Sequence, residues 1–172
     1  MLNNSRLPAL CFFIMLGVST WNWARLYPWL PDRMASHFSG SGVPNGWQPK
    51  QDFFVFAGIM VAVCAVLSFL LPRVAAVIPP ALINLPNKSY WLASERREET
   101  WRVLASYMAW FGCALLFVLL YAISQAIRFN LPGHEPFNSR GMVAVLAGFC
   151  LFAVLLSVRM LRHFFSVPPS SG

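Results

Sequence analysis

The side chains able to do chemistry in this chain are few, and most lie in one stretch. Its 172 residues include only six acidic residues and three histidines. Between Tyr27 and Asp52, in YPWLPDRMASHFSGSGVPNGWQPKQD, stand Asp32, His37, Ser39, Ser41, Asn45, Trp47 and Lys50. Imidazole and carboxylate together suit zinc. His37 with Asp32, joined by His134 or Glu135 from a later loop, is therefore the metal set to weigh. Neither the H-x-x-H nor the HExxH ligand spacing is present, so no metal and no cofactor is expected. Ser39 and Ser41 neighbour His37, but no strand–turn–helix context frames a nucleophile elbow. G-x-G-x-x-G and P-loop patterns are absent, and Asp32 and Asp52 are far apart in sequence. The expectation is a protein that is not an enzyme. The simplest role for His37 is a hydrogen bond that ties the loop down. A pH-sensitive or ligand-contacting role stays open, because imidazole titrates near neutrality. Cys11, Cys64, Cys113 and Cys150 each lie in an apolar run without a CxxC pair. They read as small packing residues, with no disulfide.

The elements that must position these groups are membrane spans. Hydrophobic residues make up 58% of the chain and charged residues 11%, against about 25% charged in a soluble domain. A span needs about 20 apolar residues, and four runs qualify, at about 7–27, 53–71, 103–127 and 141–158. The first ends in Trp21, Trp23, Arg25, Tyr27 and Trp29, an interfacial aromatic belt, and lacks the small-residue cleavage site of a signal peptide. It reads as a retained helix. The second closes at Pro72 and Arg73. The stretch Val74–Pro86 carries Pro79, Pro80 and Pro86 and reads as a short interfacial piece. A third helix can start near Ser94, with Glu95, Glu98 and Glu99 suiting its dipole and Glu98–Arg102 pairing at four residues. Such a helix, Ser94 to Arg128, is roughly 50 Å long, beyond the roughly 30 Å hydrocarbon core, so its charged start projects into water. The tail, 166–172, reads as disordered. The expected fold class is an all-α membrane protein, with four transmembrane helices, a structured outer loop (28–52) and a cytoplasmic loop (72–102) that holds a cytoplasmic extension of the third helix.

Orientation follows from Lys and Arg counts. Arg6, Arg73, Lys88, Arg96, Arg97, Arg102, Arg159 and Arg162 fall on one side; Arg25, Arg33, Lys50, Arg128 and Arg140 fall on the other. The richer side is expected to be cytoplasmic and to hold both termini, in the cell (inner) membrane. The net charge of +7 is explained by these flanks, and no nucleic-acid partner is expected. No Asp, Glu, Lys or His falls mid-span, which argues against a transporter. Within the outer loop, Arg33–His37 reads as one helical turn, and Pro44-Asn45-Gly46 as a tight turn. Trp47 reads as a headgroup-level anchor or a ligand contact.

The string LPDRMASHFSGSGVPNGWQPK resembles the signature of domain-of-unknown-function family 1648. The residues that carry the resemblance are Pro31, His37, Phe38, Gly42, Gly46, Trp47 and Lys50. The string Ile83–Leu104, INLPNKSYWLASERREETWRVL, looks like the stretch that follows in such proteins. The resemblance implies a bacterial membrane protein associated with SdpI-type toxin immunity and signalling. The outer loops then offer Asp32, His37, Phe38, Asn45, Trp47, Lys50 and His134 as candidates for recognising a ligand or partner, an extracytoplasmic peptide or toxin in the role the resemblance implies. Tyr90, Trp91, Arg96, Arg97 and Trp101 are candidates for docking a membrane or cytoplasmic protein, since aromatics with Arg make hot spots. The plainer reading of that second set is an interfacial turn and a helix start. Two other roles remain: an accessory or structural subunit of a larger complex, packed through Gly112 and Gly148, and a metal-dependent membrane enzyme.

Overall fold

The computed structural model describes residues 6–133 and 135–167, so His134 and most of the expected disordered tail lie outside the described residues. Helix α1 spans Arg6–Leu26 and passes through a 3-10 turn, Tyr27–Trp29. Strands β1 (Arg33–Phe38) and β2 (Pro44–Pro49) follow. Helix α2 (Lys50–Ala65) continues through a π-helical turn, Val66–Leu70, into α3 (Leu71–Ala76). After the short α4 (Lys88–Trp91) come the long helices α5 (Arg97–Phe129) and α6 (Ser139–Phe165). Four helical stretches are long and apolar enough to cross a membrane: Arg6–Trp29, Lys50–Ala76, Arg97–Phe129 and Ser139–Phe165.

The spine is α5. Leu116, Leu120, Ile123 and Ile127 form one buried stripe at helical spacing. Phe12 and Trp23 of α1, Phe53, Ala57 and Cys64 of α2, and Met34 of β1 pack on it. The Trp23 indole N–H donates to Ser124 Oγ at 3.2 Å, supplying a polar tie inside the apolar layer. Where the π turn of the second span crosses α5 the backbones come close. A Cβ placed on Gly112 would lie 2.7 Å from Ser68 Cβ and 3.4 Å from Ser68 Cα. Close approach through small residues is the usual way helices associate in lipid, where no hydrophobic force drives them together.

The second span does not stop at Pro72. Proline lacks an N–H and crowds the carbonyl four residues back, which here belongs to Ser68. The π turn widens the helix over that segment and lets it run on to Ala76. The Ser68 hydroxyl donates to Cys64 O within the same turn. Beyond Ala76 the proline-broken stretch holds only a 3-10 turn, Pro80–Leu82. The third span starts at Arg97 rather than Ser94. Ser94 Oγ is taken up by the Glu95 carboxylate at 2.7 Å, and this bond holds the Glu95 carboxyl below its ordinary range. The expected Glu98–Arg102 pair forms at 3.0 Å.

Helix α6 lies at the periphery. None of its apolar window is buried, and a Cβ placed on Gly148 would meet nothing within 4 Å, so this glycine makes no close helix crossing. Both its ends are held. At the start, the Asn138 side chain accepts the Gly141 N–H at 2.8 Å. At the finish, Asn87 Nδ2 donates to Phe164 O and Phe165 O at 3.1 and 3.0 Å, and Trp91 Nε1 donates to Phe164 O at 2.9 Å. These donors satisfy carbonyls that a helix C-terminus leaves open.

Candidate functional site

The stretch between α1 and α2 folds as an antiparallel hairpin. It corrects two local expectations. Arg33–His37 is not a helical turn, and Pro44-Asn45-Gly46 is not the reversal. An isolated helical turn costs several fixed dihedrals for one hydrogen bond, whereas pairing 33–38 with 44–49 satisfies backbone groups on both segments. The reversal falls on Ser39–Gly42. Gly42 N–H donates to Ser39 O at 2.8 Å, Ser39 N–H donates to Val43 O at 2.8 Å, and Gly42 takes φ +83°. A turn followed by a left-handed glycine is a favoured three-residue hairpin loop, so Gly42 outcompetes the Pro-Asn-Gly string.

The hairpin is anchored at three points. The side-chain amide of Asn130, just past α5, mimics a neighbouring strand. Its Oδ1 accepts the Ala35 N–H at 2.8 Å and its Nδ2 donates to Ala35 O at 2.9 Å and to Ala126 O at 2.7 Å. Phe38 stacks on Phe137 with centroids 4.3 Å apart and meets Phe129 edge-on at 5.1 Å. Lys50 donates to Leu30 O at 3.1 Å, lies over the Tyr27 ring at 4.7 Å and approaches the exposed Asp32 carboxylate at 3.9 Å. With only 17% of its side chain exposed, Lys50 is committed to these internal partners. Its charge-assisted hydrogen bond contributes about 1.5–3 kcal/mol and the ring contact about 0.5–1 kcal/mol. Lys50→Met is accordingly expected to cost about 1–3 kcal/mol, read as a lowered unfolding midpoint in detergent. An unchanged midpoint would remove Lys50 as a tie.

Ser36 and His37 are consecutive, and in a regular strand they would face opposite sides. The register breaks between Ala35 and Phe38, with His37 opposite Gly46. A bulge re-aims side chains in this way, and both residues line one cleft. Gly46 makes the room: a Cβ there would lie 3.0 Å from His37 Cβ and 3.1 Å from its Cδ2. The cleft, about 230 Å3, lies between α2 and α5 under the hairpin. Ser36, His37 and Gln48 form its polar rim; Phe53, Phe56, Ala57 and Met60 line one wall, and Leu119, Ala122, Ile123 and Ala126 the other.

The remaining sequence candidates fall into three positions. Asn45 and Trp47 are exposed on β2, Trp47 at 52%. Glu135 approaches Arg128 at 3.9 Å rather than His37. Among the described residues no three His, Cys, Asp or Glu side chains come together. The second set sits at the other end of the bundle. Arg96 donates to Tyr90 O at 3.0 Å and lies 3.9 Å from the Tyr90 ring centre. Arg97 donates to Ala76 O and Ile78 O, both at 3.1 Å. Trp91 caps α6, and the buried Trp101 indole N–H meets no acceptor among the described residues. Sequence reasoning did not single out Asn130, Ser36 or Gln48. The only signal for Asn130 was an asparagine at the foot of an apolar run.

The fold and the hairpin define a multi-pass, all-α membrane protein with one small folded element between its first two spans. Residues 10–61, covering most of α1, the hairpin and most of α2, match the model of a domain of unknown function, DUF1648, and the chain resembles that family over this segment. Ile83–Leu104 lies outside the match. No curated protein and no solved structure matches the chain.

Proposed function

We propose that this protein binds an amphipathic ligand at the hairpin end, that this end faces away from the cytoplasm, as the Lys and Arg distribution favours, and that it acts by recognition rather than catalysis. The observation that carries the reading is the rim of Ser36, His37 and Gln48 over an otherwise apolar cleft. Few polar groups set on an apolar wall are the usual makings of a binding site. The SdpI-type association read in the hairpin string LPDRMASHFSGSGVPNGWQPK favours a peptide or toxin as the ligand and an immunity or signalling role. Binding would be reported through α5, which runs from the cleft to the Arg97 and Trp101 end.

The test uses the full chain in nanodiscs and a panel of membrane-active bacterial peptides of about twenty residues, enough to reach across one bilayer face. A binding peptide is expected to slow hydrogen exchange over residues 33–49, and the His37→Ala/Gln48→Ala double variant to weaken that protection at least tenfold in peptide concentration. Equal protection in the double variant, or none from any peptide in the wild type, would overturn the proposal.

A further inference from the structure

We infer that the cleft under the hairpin takes the chain of a single-chain acyl amphiphile, its oxygen-bearing head held at Ser36, His37 and Gln48. The inference rests on the hairpin end being a recognition site and names the chemistry that site would take. Polarity is graded along the cleft. The hydrogen-bonding side chains come from the hairpin, and everything beneath them is apolar. An apolar side chain alone would leave the rim unused, and a polar solute would leave the walls unused.

The dimensions select one chain. From Ala126, beside the hairpin, to Leu119 the wall descends seven residues of α5, roughly 10 Å, or about eight methylenes in extended form. The volume of about 230 Å3 is below the roughly 300–1,000 Å3 of clefts that hold drug-sized ligands, which leaves room for one chain inside. The cleft is also reachable from the bilayer. Phe56, on its wall, is 57% exposed, so a chain already dissolved in lipid can enter sideways while its head stays at the rim. The rim residues supply hydroxyl, imidazole and amide donors, suited to a carboxylate or ester head.

The experiment is photolabelling of the full chain in nanodiscs with diazirine fatty acids of six to sixteen carbons, with adducts located by mass spectrometry. At equal mole fraction of probe in the bilayer, labelling is expected at Phe56, Met60 or Ala122, rising with each methylene that packs on the cleft walls and levelling off near the length that fills the cleft. Ala122→Phe plugs the wall midway and is expected to move that plateau to chains about half as long. The Ser36→Ala/Gln48→Leu variant should lower affinity at every length without moving the plateau. A plateau that Ala122→Phe leaves in place, in protein whose thermal midpoint is unchanged, overturns the inference. So does equal labelling of the cleft by a two-chain phospholipid probe. Peptide protection of residues 33–49 without any fatty-acid labelling would sink this inference and leave the recognition reading standing; failure of both would sink the two together.

Discussion

Asn130→Asp is expected to release the hairpin from the helices, and to do so more severely than Asn130→Ala. Ala35 is 1% exposed, and its N–H and C=O both depend on the Asn130 amide. Truncation to alanine leaves two buried backbone groups open at about 1–3 kcal/mol each, roughly 2–6 kcal/mol in all. Aspartate keeps the acceptor for the Ala35 N–H. Its second oxygen, however, would stand where Nδ2 now donates, at 2.9 Å from Ala35 O and 2.7 Å from Ala126 O. Oxygen against oxygen without a proton is repulsive, and protonating the carboxyl at neutral pH adds its own cost. Amide exchange over residues 33–38 should accelerate in both variants, most in Asn130→Asp, while exchange in the middle of α5 stays slow. Wild-type exchange at Ala35 in Asn130→Asp would show that the amide is not the clasp.

Gly112→Ala carries the other large effect. The added methyl would overlap Ser68 Oγ and lie 2.7 Å from Ser68 Cβ. Rotating the serine cannot relieve contact with its own Cβ, so the two backbones must part. Overpacking of this kind costs about 1–3 kcal/mol, with the Ser68–Cys64 bond disturbed as well. The distance to Ser68 Cα is 3.4 Å, an ordinary contact. The double variant Gly112→Ala/Ser68→Gly is therefore expected to recover most of the loss, because it moves the gap from one helix to the other. A double-mutant cycle in detergent unfolding reads the coupling directly. Additive single effects would mean that the crossing lies elsewhere.

Both sites show where sequence reading works in this chain and where it stops. The helices were legible because lipid leaves a run of about twenty apolar residues little choice, and Leu116–Ile127 declares its stripe unaided. The Glu98–Arg102 pair was legible because both partners sit on one helix. The hairpin was not, because its short polar strands lack the alternation that marks a buried sheet, and a proline opens one of them. Its turn was misplaced because Pro-Asn-Gly is the stronger local string, while Gly42 wins only once both strands are paired. Asn130 stayed hidden for a different reason: its partner, Ala35, is distant in sequence, and a backbone group leaves no trace in the residue types. The cleft needed even more. Ser36 and His37 share it only because a bulge upsets the strand period, and no composition rule announces a bulge. His37 was named from its chemistry, whereas its two rim partners emerged only from geometry.

The way α6 is held has a mechanical consequence. It is clamped at one end by Asn138 and the Phe137–Phe38 stack, and at the other by Asn87 and Trp91. Its middle leans on the bundle without burying a residue of its apolar stretch. A beam fixed at both ends and touched between them only along one side, by contacts such as Phe149 on Phe111 and Leu156 beside Tyr107, bows under load more readily than the α5 spine, which is packed on several sides. Thickening or thinning of the surrounding bilayer loads every span by a fraction of a kcal/mol per ångström of mismatch. In this molecule α6 is the compliant member. Strain from the lipid is expected to be taken up there first, and it reaches the hairpin where Phe137 and Ser139 meet Phe38 and Gly42.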